Sequence, residues 1–218
     1  MPSPATASRE FIFIRHGESE SNAGLVTQYP RTVNLTPKGV QQALDAATQW
    51  QDAPDVFITS KYLRTQQTAQ PFLKKFPHVP SEEWDIHEFT HLDPDKYKGT
   101  TFTDRLPHVQ AYWEKADPQH KDGALAESFA AFMQRCLNTL ERMRQSPHRR
   151  SMAFCHGFFM KGLMLAVDGH FTAVNSDTMR RFYTFNQSVT VDNCGIIRFV
   201  IEGDAISYTL DSISPNDQ

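Results

Sequence analysis

Residues 11–19 read FIFIRHGES: four apolar residues, then an arginine, a histidine and a glycine without transition. A short, continuous apolar run suits a strand buried on both faces of a parallel sheet, and its abrupt polar end predicts a turn that carries chemistry. Held at the end of such a strand, His16 is rigid, and Gly17 lets the backbone turn. One ring nitrogen can then be fixed by a backbone acceptor while the other faces a cleft, where it can attack phosphorus. The guanidinium of Arg15 and the amide of Asn22 can hold phosphoryl oxygens, arginine because its planar fork matches phosphate geometry. On these residues alone, a packed core histidine beside a surface arginine fits equally well, because short motifs match by chance.

Working outward, Thr36 and Pro37 followed by Val40, Ala43, Leu44, Ala47 and Trp50 give an N-cap, a proline at the first helical position and helical apolar spacing. Residues 55–59 (DVFIT) predict a second buried strand, and 62–76 a helix halted by Pro77. The alternation breaks over 77–124, where prolines stand at 77, 80, 94, 107 and 118 and only about 103–116 reads as helix. This stretch is expected to be a crossover holding a small lid-like insertion, about 90–125. A helix over 126–145, a strand at 152–155 (MAFC) that again ends in His-Gly, and a helix over 158–167 follow. Strand-like pieces near 188–191, 196–201 and 206–210 close the chain, the last two joined by the Gly203-Asp204 turn.

Strands alternating with helices imply an α/β fold, a three-layer α/β/α sandwich around a mostly parallel central sheet. Ligands of such sheets bind outside the carboxyl ends of the strands, so two strands ending in His-Gly point to one site. No repeat, low-complexity tract or composition-marked linker divides the chain, and residues 9–212 are expected to form one unit.

Composition narrows the partners. The net charge of −3 and pI near 6.3 leave no basic surplus for a nucleic-acid backbone. Anion binding must therefore come from a local cluster of positive groups, which favours a small anionic substrate. The opening MPSPATASRE lacks the charged start and apolar stretch of a secretory signal. No apolar run approaches the roughly 20 residues that span a bilayer. Three widely spaced cysteines, Cys136, Cys155 and Cys194, read as buried thiols of a reducing compartment, which points to the cytoplasm.

RHGES at 15–19, LTPKGVQQA at 35–43, SKYLRTQQTA at 60–69 and the second His-Gly at 156–157 together resemble the histidine phosphatase superfamily, in its phosphoglycerate-mutase-like branch. The resemblance spans essentially residues 9–212, dense before residue 70 and thin over 90–125. It implies that His16 accepts the phosphoryl group and that Arg15, Arg64 and His156 form the phosphate pocket, with Asn22 as a further contact. It implies hydrolysis of a phosphate monoester, of a small molecule or a phosphoprotein, with no metal or organic cofactor. On the residues themselves Arg64 sits at the start of a helix, whose dipole favours anions, and also reads as a solvated arginine. His156, between an apolar strand and an apolar helix, also reads as core packing.

The leaving alcohol needs a proton and the attacking water must later lose one, and one carboxyl group can serve both steps. Glu88 is the candidate, preceded by Trp84 and Ile86 in a pattern that suggests a short strand. It resembles the acid/base glutamate of the family in lying between the second-helix arginine and the insertion. The family continues with a Gly and an aromatic-Glu-Gly triplet, whereas this chain has Tyr97-Lys98-Gly99 after a longer gap, so Glu18, Glu82, Glu83, Asp85 and Asp93 stay in play. Ala126-Glu127-Ser128 replaces the usual Gly-Glu-Ser. Ser128 is expected to cap a helix and Asn193 to serve a turn. His87, His91, His108 and His120, with Lys96, Lys98, Arg105 and Lys121, lie in or near the expected insertion; most are expected on a solvated face, the other reading being that they contact the remainder of an anionic substrate. Phe158, Phe159, Phe182, Tyr183 and Phe185 are assigned to packing. Rival readings are a mutase that retains and reorients a bisphosphate, a silent phosphate-binding regulator and a metallohydrolase.

Overall fold

The computed structural model describes residues 8–169 and 173–211. Most of the opening decapeptide and residue 212, the end of the expected unit, lie outside the described residues. Among these, six strands form one sheet: β1 (Arg9–Arg15), β2 (Val56–Thr59), β3 (Ser81–Glu83), β4 (Arg150–Cys155), β5 (Ile196–Glu202) and β6 (Ala205–Asp211). The order is β3-β2-β4-β1-β5-β6. β3, β2, β4 and β1 pair in parallel, while β5 runs antiparallel to β1 and closes a hairpin with β6. The sheet is thus mostly parallel, with an antiparallel edge. Six helices accompany it: α1 (Pro37–Gln49), α2 (Leu63–Lys75), α3 (Phe102–Lys115), α4 (Phe129–Gln145), α5 (Gly157–Val167) and α6 (Ser176–Ser188).

The apolar run that opens the chain explains the layers. Phe11, Ile12, Phe13 and Ile14 are all fully buried, and their side chains alternate. Phe11 and Phe13 join Val56, Ile58, Ala153 and Cys155 in the core shared with α3, α4, α5 and α6. Ile12 and Ile14 join Phe57, Met152 and Phe154 in the core under α1 and α2. A strand apolar at every position is what a sheet covered on both faces requires.

α1 starts as expected, with Thr36 Oγ1 accepting from Gly39 N at 3.1 Å and Pro37 in the first turn. α4 starts at Phe129, later than 126, because Ser128 caps it through Ala131 N at 3.2 Å. Two expectations are corrected. Residues 188–191 form no strand, since Ser188 ends α6 and Val189 and Val191 pack into the core without a partner strand. α6 itself escaped the sequence reading because its buried face is only Thr178, Met179 and Phe182. Trp84 and Ile86 are likewise not a strand: β3 ends at Glu83, and both side chains enter the core from irregular backbone.

The RHG turn and the start of α1 meet backbone to backbone. Gly17 is not among the left-handed residues, so its role is close approach and not turning. A Cβ on Gly17 would stand 2.4 Å from the Gly39 carbonyl oxygen, and one on Gly39 would stand 2.0 Å from that of Glu18. This contact joins the RHGES and LTPKG stretches. Gly39→Ala is therefore expected to push the His16 turn off α1, costing about 1–3 kcal/mol of stability. A lower denaturation midpoint accompanied by a loss of kcat would show it, and an unchanged protein would refute the tight contact.

Candidate active site

His16 follows β1 and extends its ladder, its N donating to Cys155 O at 3.0 Å. The ring is buried, with Nδ1 2.7 Å from Gly17 O and Nε2 3.0 Å from Arg64 Nε. A carbonyl only accepts and a guanidinium only donates, so these two bonds assign the proton to Nδ1 and a lone pair to Nε2. Burial, reinforced by Arg64 and Arg15, holds the pKa of His16 well below the usual histidine value. The result is a neutral imidazole with its unprotonated nitrogen turned to a guanidinium.

The SKYLRTQQTA stretch supplies most of the scaffold around it. Thr68 Oγ1 accepts from Gly17 N at 3.1 Å and donates to Arg64 O at 2.7 Å, and Gln67 Oε1 takes Leu35 N at 2.8 Å. Ser60 Oγ lies 2.8 Å from Nε2 of His156. Arg64 is braced by the Pro30 carbonyl at 2.7 Å, and burial brings its pKa down to about 10 while leaving it cationic at neutral pH. Arg15 is fixed through NH1 to Val191 O at 2.7 Å, leaving its Nε buried without a partner.

Glu88 closes the opposite side. Oε1 accepts from Phe89 N at 3.0 Å and Oε2 from Phe158 N at 3.3 Å, the latter in the first turn of α5, where the helix dipole favours a carboxylate. Burial nevertheless raises its pKa, against the pull of Arg64, the two backbone amides and Arg15. The segment carrying it is pinned by Arg135. That guanidinium holds both oxygens of Glu127 at 3.0 and 2.7 Å and the carbonyls of Asp85 and His87 at 3.1 and 2.8 Å.

Arg15, His16, Asn22, Arg64 and Glu88 line a common cavity of about 230 Å³ at the carboxyl ends of β1 and β4. His156 is fully buried behind them, its ring edge-on to His16 at 5.2 Å between centroids and its Nδ1 without a partner. The structure thus gathers five of the six residues on one surface and sets His156 against the flank of His16. Asn22 Oδ1 is taken by Ser19 N, Ser19 Oγ and Asn193 Nδ2, which leaves its amide hydrogens as the free end.

Of the alternative carboxyls, Glu18 pairs with Lys38 at 2.7 Å, and neither it nor Glu82, Glu83 or Asp85 lines the cavity. Asp93 lines it, but its oxygens are spent on Asp95 N and Leu125 N. Asn193 does more than serve a turn: its Nδ2 donates to His16 O at 2.9 Å. Phe158, assigned to packing, lines the cavity, as do His91 and Arg105 from the group expected on a solvated face. Cys136 and Cys155 are buried thiols, while Cys194 is half-buried at φ 61°. Ser60, Thr68, Glu127 and Arg135 had no role in the sequence reading. The signals available for them were the SKYLRTQQTA stretch, which holds Ser60 and Thr68, and the Ala126-Glu127-Ser128 triplet, while nothing local marked Arg135.

The family model of the histidine phosphatase superfamily (branch 1) matches residues 11–206. The chain belongs to this superfamily. Solved structures of phosphatases share its fold. The alpha-ribazole phosphatase of Shigella flexneri superposes with a TM-score of 0.72 at 20% identity, covering 92% of this chain and 95% of that one. A mutant phosphoserine phosphatase from Entamoeba histolytica in complex with phosphoserine gives 0.71 at 20% identity, over 94% and 97%. A mycobacterial glucosyl-3-phosphoglycerate phosphatase gives 0.68 at 18%, over 94% and 97%. Comparison with curated protein sequences yields no match. Among the described residues of this superfamily member, no group of three or more His, Cys, Asp or Glu is disposed to hold a metal ion. No helix of those residues is long and apolar enough to cross a membrane.

Proposed function

We propose that the protein is a phosphatase that hydrolyses a small-molecule phosphate monoester through a phosphohistidine on His16. The observation that carries this reading is the unprotonated Nε2 of His16, fixed by Gly17 O on its far side and facing a cavity lined by two arginines and a carboxyl group. In the first step Nε2 attacks phosphorus, the ester P–O bond breaks, and the leaving oxygen takes the proton of Glu88. In the second step water attacks the phosphohistidine and gives a proton to the Glu88 carboxylate. The P–N bond then breaks with its electron pair returning to Nε2.

Arg15 and Arg64 neutralise the nonbridging oxygens in both steps, and Asn22 adds a neutral donor. On binding phosphate, Arg64 must exchange His16 for a phosphoryl oxygen, which releases the Nε2 lone pair for attack. Two buried nitrogens without partners, Arg15 Nε and His156 Nδ1, support an anion at this place, because such groups are otherwise costly. Where the Ser60 hydroxyl donates to His156 Nε2 at 2.8 Å and not to Thr65 Oγ1 at 3.0 Å, His156 is the Nδ1–H tautomer. In that tautomer His156 Nδ1 carries the proton it would offer to phosphate.

The test is a rapid quench of the enzyme with a ³²P-labelled monoester in the presence of chelator. Label is expected on the protein, stable in alkali and lost in acid, with stoichiometric release of free phosphate. Protein that binds vanadate without forming this adduct would be a silent regulator. Isomerised product from phosphoglycerate without free phosphate would make it a mutase.

A further inference from the structure

Away from the phosphoryl end, the cavity wall contains a histidine that the proposed chemistry does not use. His91 stands there with both ring nitrogens buried and neither in hydrogen-bond geometry with any described group. Its ring is clasped by Phe89, Tyr112, Trp113 and Phe158, at centroid separations of 5.3, 5.1, 5.9 and 6.1 Å. Burial brings its pKa down to about 4, with the backbone of Phe89 and Asp122 pulling the other way and Arg105 adding to the fall. At neutral pH it is an uncharged imidazole: the Phe89 backbone draws on one ring nitrogen without reaching hydrogen-bond geometry, and the other has no partner. Buried polar groups rarely stay unpaired, and a ligand entering the cavity would supply the missing bond.

Arg105 brings a positive charge to the same wall. It projects from α3 with Phe102 and Val109, at the i, i+3 and i+7 spacing of one helix face, and all three line the cavity. Its NH1 is spent on Thr100 O and Thr100 Oγ1, at 2.9 and 3.0 Å, and reaches Thr27 Oγ1 at 3.5 Å. No carboxylate forms an ion pair with Arg105 among the described residues, and the other charge on this wall, Asp93, has both oxygens engaged by backbone amides. The guanidinium therefore keeps Nε and NH2 for a ligand. Phe89, Leu92 and Phe158 line the same cavity, Phe89 and Phe158 giving their backbone N–H groups to Glu88 and their rings to His91.

We propose that His91 and Arg105 form a second polar subsite, which takes a carboxylate carried by the leaving alcohol while the apolar body of that alcohol lies against Phe89, Phe102 and Phe158. This rests on the reading of the phosphoryl end given above. One guanidinium beside a neutral imidazole, with Asp93 close by, matches a monoanion. A second phosphate would draw on more than one cation. The cavity of about 230 Å³ is smaller than typical ligand pockets of roughly 300–1,000 Å³, which limits the occupant to a compact molecule.

A matched pair of substrates, 4-carboxyphenyl phosphate and 4-carbamoylphenyl phosphate, tests this, because the two differ mainly in charge. The wild-type protein is expected to favour the carboxylate in kcat/KM by about tenfold or more, the scale of a charge-assisted hydrogen bond. Arg105→Gln is expected to bring the ratio to within about twofold, and His91→Phe to reduce it chiefly through KM. Equal turnover of the pair by wild type, with phosphate released from both, would overturn the subsite and leave the phosphatase reading standing. No phosphate release from either, or from phenyl phosphate, would overturn the reading beneath it. An Arg105-dependent preference for a bisphosphate over the carboxylate would replace the proposed ligand class.

Discussion

Replacing His16 by alanine is expected to lower phosphatase kcat by about 10⁵-fold or more and to abolish the acid-labile phosphoprotein, because the reaction then has no nucleophile. The fold should survive. His16 contributes a ring against His156 and one bond each to Gly17 O and Arg64, while the apolar run of β1 that anchors the turn is unchanged. Arg64 loses its neighbour but keeps the Pro30 carbonyl, and it should still bind phosphate or vanadate. The separation is the informative part: binding near normal, with turnover and label both gone. An alanine variant that still turns over would remove His16 from the mechanism. The pH profile carries the same logic. Because burial and two arginines hold the His16 pKa well below the ordinary value, the nucleophile should contribute no acid limb near neutral pH.

Glu88→Gln is expected to cost about 10²–10⁴-fold in kcat/KM on alkyl phosphates, whose leaving alkoxide needs a proton. On p-nitrophenyl phosphate the loss in the first step should be small, since that anion leaves unprotonated. Dephosphorylation is slowed in the variant because water has lost its base. Nitrophenolate should accordingly appear as a burst of one equivalent followed by slow turnover. The sign of the pH dependence follows from the raised pKa of Glu88: its acid form persists to higher pH than in an exposed glutamate. Activity on alkyl phosphates should then fall as pH rises through that value. In the glutamine variant this alkaline limb should vanish. Equal losses on both substrates, or a limb that persists, would assign the proton to another group.

Both experiments depend on geometry that the linear chain announces only in part. FIFI at 11–14 told that a strand is covered on both faces, and Thr36-Pro37 told where a helix begins, because each is a local pattern of hydrophobicity or capping. For the same reason, local pattern misses the α6 helix and takes the 188–191 segment for a strand. A helix that buries only Thr178, Met179 and Phe182 has little periodicity to read, and the valines after it look like a strand.

For the site, residue types, their order and the family resemblance were enough to nominate Arg15, His16, Asn22, Arg64, Glu88 and His156. Of these, Arg15, His16, Arg64 and His156 sit where a strand ends or a helix begins, and Asn22 and Glu88 lie on loops. What the chain order could not convey is the state of each group. The tautomer of His16 depends on a bond from Arg64, 48 positions away, and the anchoring of its carbonyl on Asn193, 177 positions away. The glycine at 39 is required by the Glu18 carbonyl, and the raised pKa of Glu88 by the depth at which its loop is buried. Local sequence determined which elements form and which reactive side chains stand at their ends. Tertiary structure decided protonation, pairing and access, because these depend on distances between atoms that only folding brings together.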